Sequence, residues 1–105
     1  MTDIQKLLER TGAKVNPVRF LKAPALPYIL WLERTRHYGA DDCSPIAHRS
    51  ITVELYAEHI DARMERRIEA ELDALGVEYS FERVWLPEEG MHETIYDFEL
   101  EEKRN

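Results

Sequence analysis

From His48 to Glu58 the chain alternates without a break. Ile51, Val53, Leu55 and Ala57 fall on one parity, and Ser50, Thr52, Glu54, Tyr56 and Glu58 on the other. A period of two sends successive side chains to opposite faces, so this run predicts a strand buried on one face only. The next segment supplies a cover for that face. Asp61 stands ahead of Met64, Ile68, Leu72 and Leu75, whose spacing makes one apolar stripe on a helix, with Ile60 in line just before it. Aspartate accepts hydrogen bonds from the free amides of a first helical turn, and Gly76 is the expected stop. A half-buried strand feeding an amphipathic helix restricts the chain to helices laid on one side of a sheet.

The flanking segments extend that scheme. Asp3 caps a short helix with Ile4, Leu7 and Leu8 on one face, ended by Gly12. Asn16–Pro27 holds Pro17, Pro24 and Pro27 and reads as an extended connector, with Val18, Phe20 and Leu21 available to pin it to the core. Tyr28–Leu32 is apolar on both parities and reads as a strand. Glu33–Arg36 either prolongs it as an edge or opens a long loop spanning 33–49, in which Gly39, Asp41, Asp42, Ser44 and Pro45 are turn formers. After Gly76, Val77, Tyr79 and Phe81 begin a third strand whose apolar parity shifts at Val84 and Leu86, which predicts a bulge or a strong twist near Glu82–Arg83. Pro87–Gly90 is a turn, and Met91–Leu100 alternates again, with Thr94, Tyr96, Phe98 and Leu100 opposite Glu93, Asp97 and Glu99. The expected fold is α+β, in the order α-β-β-α-β-β. It is one domain over 1–105: a four-stranded antiparallel sheet with two helices packed on one face and a proline-rich connector at 16–27.

Charge is distributed unevenly. The chain carries −7 overall, and seven acids stand between Glu88 and Glu102 with no lysine or arginine among them, so the remaining residues balance. Such a segment repels phosphate and argues against nucleic-acid binding through it. No apolar run approaches the ~20 residues of a membrane span. The opening MTDIQKLLER lacks the apolar stretch of a signal peptide. A lone cysteine, Cys43, excludes an internal disulfide and points to a reducing compartment or to indifference to redox state.

Reactive constellations are weak. His37, His48, His59 and His92 never stand three or four residues apart, as a two-histidine helical metal site requires. His37 with Asp41, Asp42 and Cys43 is the one close grouping of ligand types, and it falls where turn-making residues are expected anyway. Cys43 and His48 make a poor nucleophile and base, because Asp41 and Asp42 disfavour the thiolate. Glu88 and Glu89 are neighbours in a turn, and no glycine-rich phosphate loop exists. The residues therefore point away from an enzyme and from a bound cofactor or metal. The mixed charges of Arg34, Arg36, His37, Tyr38, Asp41, Asp42 and Arg49 suit a contact between subunits. Strand parity also turns Tyr56, and either Tyr28 or Trp31, to the uncovered face.

Three runs, PYILWLERTRHYGADD, ITVELYAEHIDARMERRIEAEL and EYSFERVWLPEEGMHETIYDFEL, resemble the small tail-completion (tail-terminator) proteins of long-tailed bacteriophages and prophages. The likeness covers Leu26 to Leu100 and rests on ADD after the first strand, the VELYAE strand entering the charged helix, and the PEEGMHETIYDFEL hairpin. It implies a structural virion protein with no catalytic residues and no cofactor. Such proteins form a ring, commonly six-fold, that caps the tail tube and joins it to the head. The partners implied are further copies of the chain, tail tube and neck proteins, with DNA only as passing cargo and no membrane. The location implied is the virion tail or neck, and host cytoplasm during assembly. Within that frame Glu93, Asp97 and Glu99 are candidates to face the channel. A head-tail connector or head-closure ring is the neighbouring alternative, and a small cytosolic acidic binding module the more distant one.

Overall fold

The computed structural model describes residues 1–38 and 46–103. Helix α1 (Ile4–Glu9) precedes strands β1 (Lys14–Pro17), β2 (Tyr28–Tyr38) and β3 (Ile46–Ala57), then helix α2 (Ala62–Leu75) and strands β4 (Tyr79–Leu86) and β5 (Met91–Lys103). The α+β class is as expected, but the sheet has five strands in the order β1-β2-β3-β5-β4 and is mixed. β1 lies parallel to β2, from Lys14 opposite Tyr28 to Pro17 opposite Trp31, whereas the other three ladders are antiparallel. The proline connector thus begins as an edge strand, a position proline tolerates because no ladder hydrogen bond is needed from it there.

Both helices start and stop where their capping residues dictate. Asp3 accepts from the Lys6 amide and Asp61 from the Met64 amide, each at 3.0 Å. Gly76 closes α2 at φ 80°, the left-handed conformation glycine adopts without strain, and its amide reaches the Leu72 and Asp73 carbonyls. The helices share one core with the covered face of the sheet. Ile4, Leu7, Leu8, Met64, Ile68 and Leu72 pack against Val15, Ile29, Ile51, Val53, Leu55, Tyr96 and Phe98. Ile60 is exposed and does not join this stripe.

Three expectations need correction. The long loop at 33–49 is shorter than supposed: β2 continues through Tyr38 and β3 starts at Ile46, in unbroken register from Tyr28 opposite Tyr56 to Tyr38 opposite Ile46. The β4–β5 ladder is also continuous, from Tyr79 opposite Phe98 to Leu86 opposite Met91, with no bulge at Glu82–Arg83. The shift of apolar parity has another cause. β4 is an edge strand, so Phe81 and Trp85 stay 43% and 50% exposed on the helix side, while Val84 and Leu86 are half-buried on the opposite one. Finally, Val18 and Leu21 are exposed, and of the three proposed anchors only Phe20 packs, edge-on to Tyr28 at 5.4 Å.

The long strands β2, β3 and β5 outrun β1 and β4 at one end and stretch the molecule to 48 × 28 × 21 Å. Neither β1 nor β4 pairs with the overhanging stretches, Leu32–Tyr38 of β2 and Glu99–Lys103 of β5.

Candidate interaction surfaces

The overhang is held by one guanidinium. Arg49 shares the parity of Ile51 and Val53 and is accordingly buried, at 4% exposure. Its Nε and Nη2 donate to the two carboxylate oxygens of Glu33 on β2 at 2.9 and 2.7 Å. Its Nη1 donates to Glu102 on β5 at 2.6 Å and to the Thr2 carbonyl at 2.8 Å. The fork geometry keeps the Glu33 carboxyl below its ordinary range. Burial opposes the Glu102 charge, yet donors from Thr2 and Arg49 outweigh it and hold that carboxyl low as well. Arg49 is therefore a structural ion-pair residue and not part of an exposed mixed-charge loop. A buried carboxylate, Glu65 on α2, takes Arg83 in the same bidentate way at 3.0 and 2.7 Å and accepts from Thr94 at 2.7 Å.

The face away from the helices collects the acids. Register puts Glu82, Glu93, Asp97, Glu99 and Glu101 on it together with Ser50, Thr52, Glu54 and Tyr56. Glu93, Asp97 and Glu99 are thus neighbours on one surface, each with a fixed partner. Tyr56 donates to Glu93 at 2.8 Å, Thr52 to Asp97 at 2.5 Å, and His48 pairs with Glu99 at 3.1 Å and Glu101 at 3.2 Å. The two hydrogen bonds raise the His48 pKa. Glu54 lies between Leu30 and Ile95 in its cross-strand row. Burial there, with the Glu93 carboxylate beside it, pushes its pKa up to about 7. The Tyr56 hydroxyl is raised by burial and by the same two carboxylates.

Aromatic placement on this face follows parity. Tyr28, not Trp31, is the outward aromatic; its ring lies 5.3 Å from that of Tyr56, and Phe20 folds over it. Trp31 turns to the helices and donates to Gln5 at 2.7 Å.

The remaining proposed contact residues lie on the overhang. Arg34 and Arg36 project from the open face of β2 and are exposed, and His37 is exposed on the helix side. Tyr38 ends β2, while Asp41 and Asp42, with Cys43, fall outside the described residues. Sequence reasoning missed Glu101 and His48 as members of this surface, although both share the parity of their better-marked neighbours Glu99 and Ser50. Among the described residues no group of three or more histidines, cysteines or acids is placed to hold a metal ion, and no helix is long and apolar enough to cross a membrane. No protein-family model matches the chain, and no curated protein matches it significantly in sequence.

Proposed function

We propose that this chain is a structural component of a phage or prophage tail, forming a ring that caps the tail tube and joins it to the head. The three sequence runs that resemble tail-completion proteins motivate that role. The observation that carries it furthest is the helix-free sheet face, where Glu93, Asp97 and Glu99 stand side by side on β5 with Glu54, Glu82 and Glu101 around them. Such a face, turned to a ring's channel, offers phosphate no cation along β5's centre and lets DNA pass without adhering. The role requires no cofactor and makes no bond. A head-closure ring would use the same surfaces.

The test has two arms. The tagged chain is expected to retain tail tube subunits in preference to portal protein; the reverse preference would move it to the head-closure role. In assembled particles, Glu93→Gln, Asp97→Asn and Glu99→Gln together should slow DNA release, with the delay disappearing in high salt. Unaltered release would place the acids elsewhere than the channel. Retention of a basic cytosolic protein and of no virion component would favour an acidic binding module instead.

A further inference from the structure

The outermost strands give the sheet two edges of opposite charge. β1 forms one edge and β4 the other. From Arg10 to Leu32 the chain holds Arg10, Lys14, Arg19 and Lys22 and no acid. Arg10 is held by Glu71 at 2.8 Å. Lys14, Arg19 and Lys22 are exposed and enter no ion pair among the described residues. The stretch after β1 is apolar as well as basic, with Val18 and Leu21 62% and 97% exposed. Its first turn is fixed by Asn16, whose side-chain amide donates to the Arg19 carbonyl at 2.7 Å.

Beside β4 the sign is reversed. Glu78 precedes the strand, Glu82 lies within it, and Glu88 and Glu89 follow in the turn. All are exposed, and none enters an ion pair among the described residues. Arg83 does not offset them, because both oxygens of Glu65 already take its guanidinium. The partly exposed rings of Phe81 and Trp85 stand among these acids. β4 has no bulge, proline or lysine, features that commonly keep an edge strand from associating.

The occupant these features select is a second copy. Two β1 edges brought together would oppose cation to cation, and two β4 edges acid to acid; both are unfavourable. Joining β1 of one copy to β4 of another removes the conflict. Each is the last strand on its side, so no other strand stands between them. The edges are also level. Lys14 shares a cross-strand row with Tyr28, Tyr56, Glu93 and Val84, and Pro17 shares one with Trp31, Val53, Tyr96 and Phe81. The same ladders make β1 and β4 antiparallel. A copy set alongside in the same orientation, with no slide along the strands, therefore brings Pro17 beside Phe81, with Val18 next in the chain. Lys14 and Glu82 then share the helix-free face as diagonal neighbours, within reach of a lysine side chain. The contact is made by side chains. Gln5 already takes the Val15 carbonyl at 2.8 Å, and Pro17 has no amide, so β1 offers no regular ladder.

We infer that copies of this chain join head to tail, the basic β1 edge and its connector in one copy lying against the acidic, aromatic β4 edge of the next. The contact is heterologous, so it generates a closed ring or a filament. It rests on the ring reading above and gives that ring its contact.

Complementary charge reversal tests it. Lys14→Glu/Arg19→Glu/Lys22→Glu and Glu82→Lys/Glu88→Lys/Glu89→Lys chains are compared with the wild type by sedimentation velocity at low salt, alone and in equimolar mixture, after circular dichroism has established that each is folded. Wild-type chains are expected to assemble and to dissociate as salt is raised. Each reversed chain is expected to remain monomeric, and the mixture to regain the assembly. If a reversed chain does not fold, Lys14→Gln/Arg19→Gln/Lys22→Gln and Glu82→Gln/Glu88→Gln/Glu89→Gln replace the pair, and loss of assembly in each is the expected result. Assemblies that survive every substitution overturn this contact while leaving a ring of other construction standing. Loss confined to the Glu82 set also overturns it, by giving β4 a different surface of the neighbouring copy. So does a wild type that stays monomeric at its highest soluble concentration. Edge-dependent assembly without any binding to tail tubes supports the contact and removes only the phage role.

Discussion

Replacing Glu54 by glutamine is expected to stabilise the protein above neutrality and to change little in acid. In the fold, burial and the Glu93 carboxylate raise the Glu54 pKa from 4.5 to about 7. A carboxyl whose folded pKa exceeds its unfolded one favours folding while protonated, and that advantage is lost as pH rises through the folded value. The interval from 4.5 to about 7 corresponds to about 3.4 kcal/mol at 1.36 kcal/mol per pH unit. Glu54 is only partly covered, and solvent screening reduces the penalty of its charge to about 1 kcal/mol. Glutamine has the shape of the protonated acid and never ionises. Urea titrations of both chains from pH 4.5 to 8.5 should show the two curves close at the acid end. They should part between pH 5 and 7 and run parallel above, with the variant ahead by about 1 kcal/mol, or about 4–8 °C in Tm. Asp97 and Glu82 also face this site and are the same in both chains, whereas the repulsion between Glu54 and Glu93 is part of what the substitution removes. A gap that is constant with pH would assign the gain to packing, and no gap at pH 8.5 would mean that the carboxylate is fully solvated.

Other substitutions probe the remaining structural supports. Arg49→Met should lose about 3 kcal/mol at pH 7 in urea denaturation, because Glu33 and Glu102 keep their charge without its cation. Both carboxyls are held low in the fold, so the stability they contribute is present above about pH 4.5 and fades as pH falls through their folded values, which should shrink the deficit in acid. Ile68→Ala, at a fully buried position of α2, is expected to cost about 3 kcal/mol by the same measurement with an unchanged denaturant slope. Gly76→Ala should cost about 1–2 kcal/mol by thermal melting through the left-handed backbone alone, since an added Cβ meets nothing within 4 Å.

The elements legible in the sequence are those whose signals are local. Asp3, Asp61 and Gly76 mark helix boundaries within a turn of their own position, and the alternation of β3 announces its buried face. What escaped depends on distant partners. Glu33–Arg36 has the composition of a loop, yet it remains a strand because Glu33 meets Arg49 sixteen residues on and Arg49 meets Glu102 fifty-three residues beyond that. The parity of Arg49 with Ile51 was the one local hint of its burial. β1 is four residues long and ends in proline, too short for any periodicity, and exists because β2 offers it an edge. β4 lies at the edge of the sheet, where Phe81 and Trp85 stay exposed on the helix side, and no pattern within β4 encodes that position. The acids of β5 were visible as a group, while their place on one face with Glu54 and Glu82 required the register.

Arg49 also has a mechanical consequence. One side chain grips Thr2, β2 and β5 at once, and Thr2 in turn donates to Glu102 through its hydroxyl at 2.6 Å. Peeling away residue 2, or the outer end of β5, would strand part of a buried charge. Residue 2 and the outer end of β5 are therefore locked into the same cooperative unit as the overhang, and the end of the sheet that neither β1 nor β4 borders is braced against fraying.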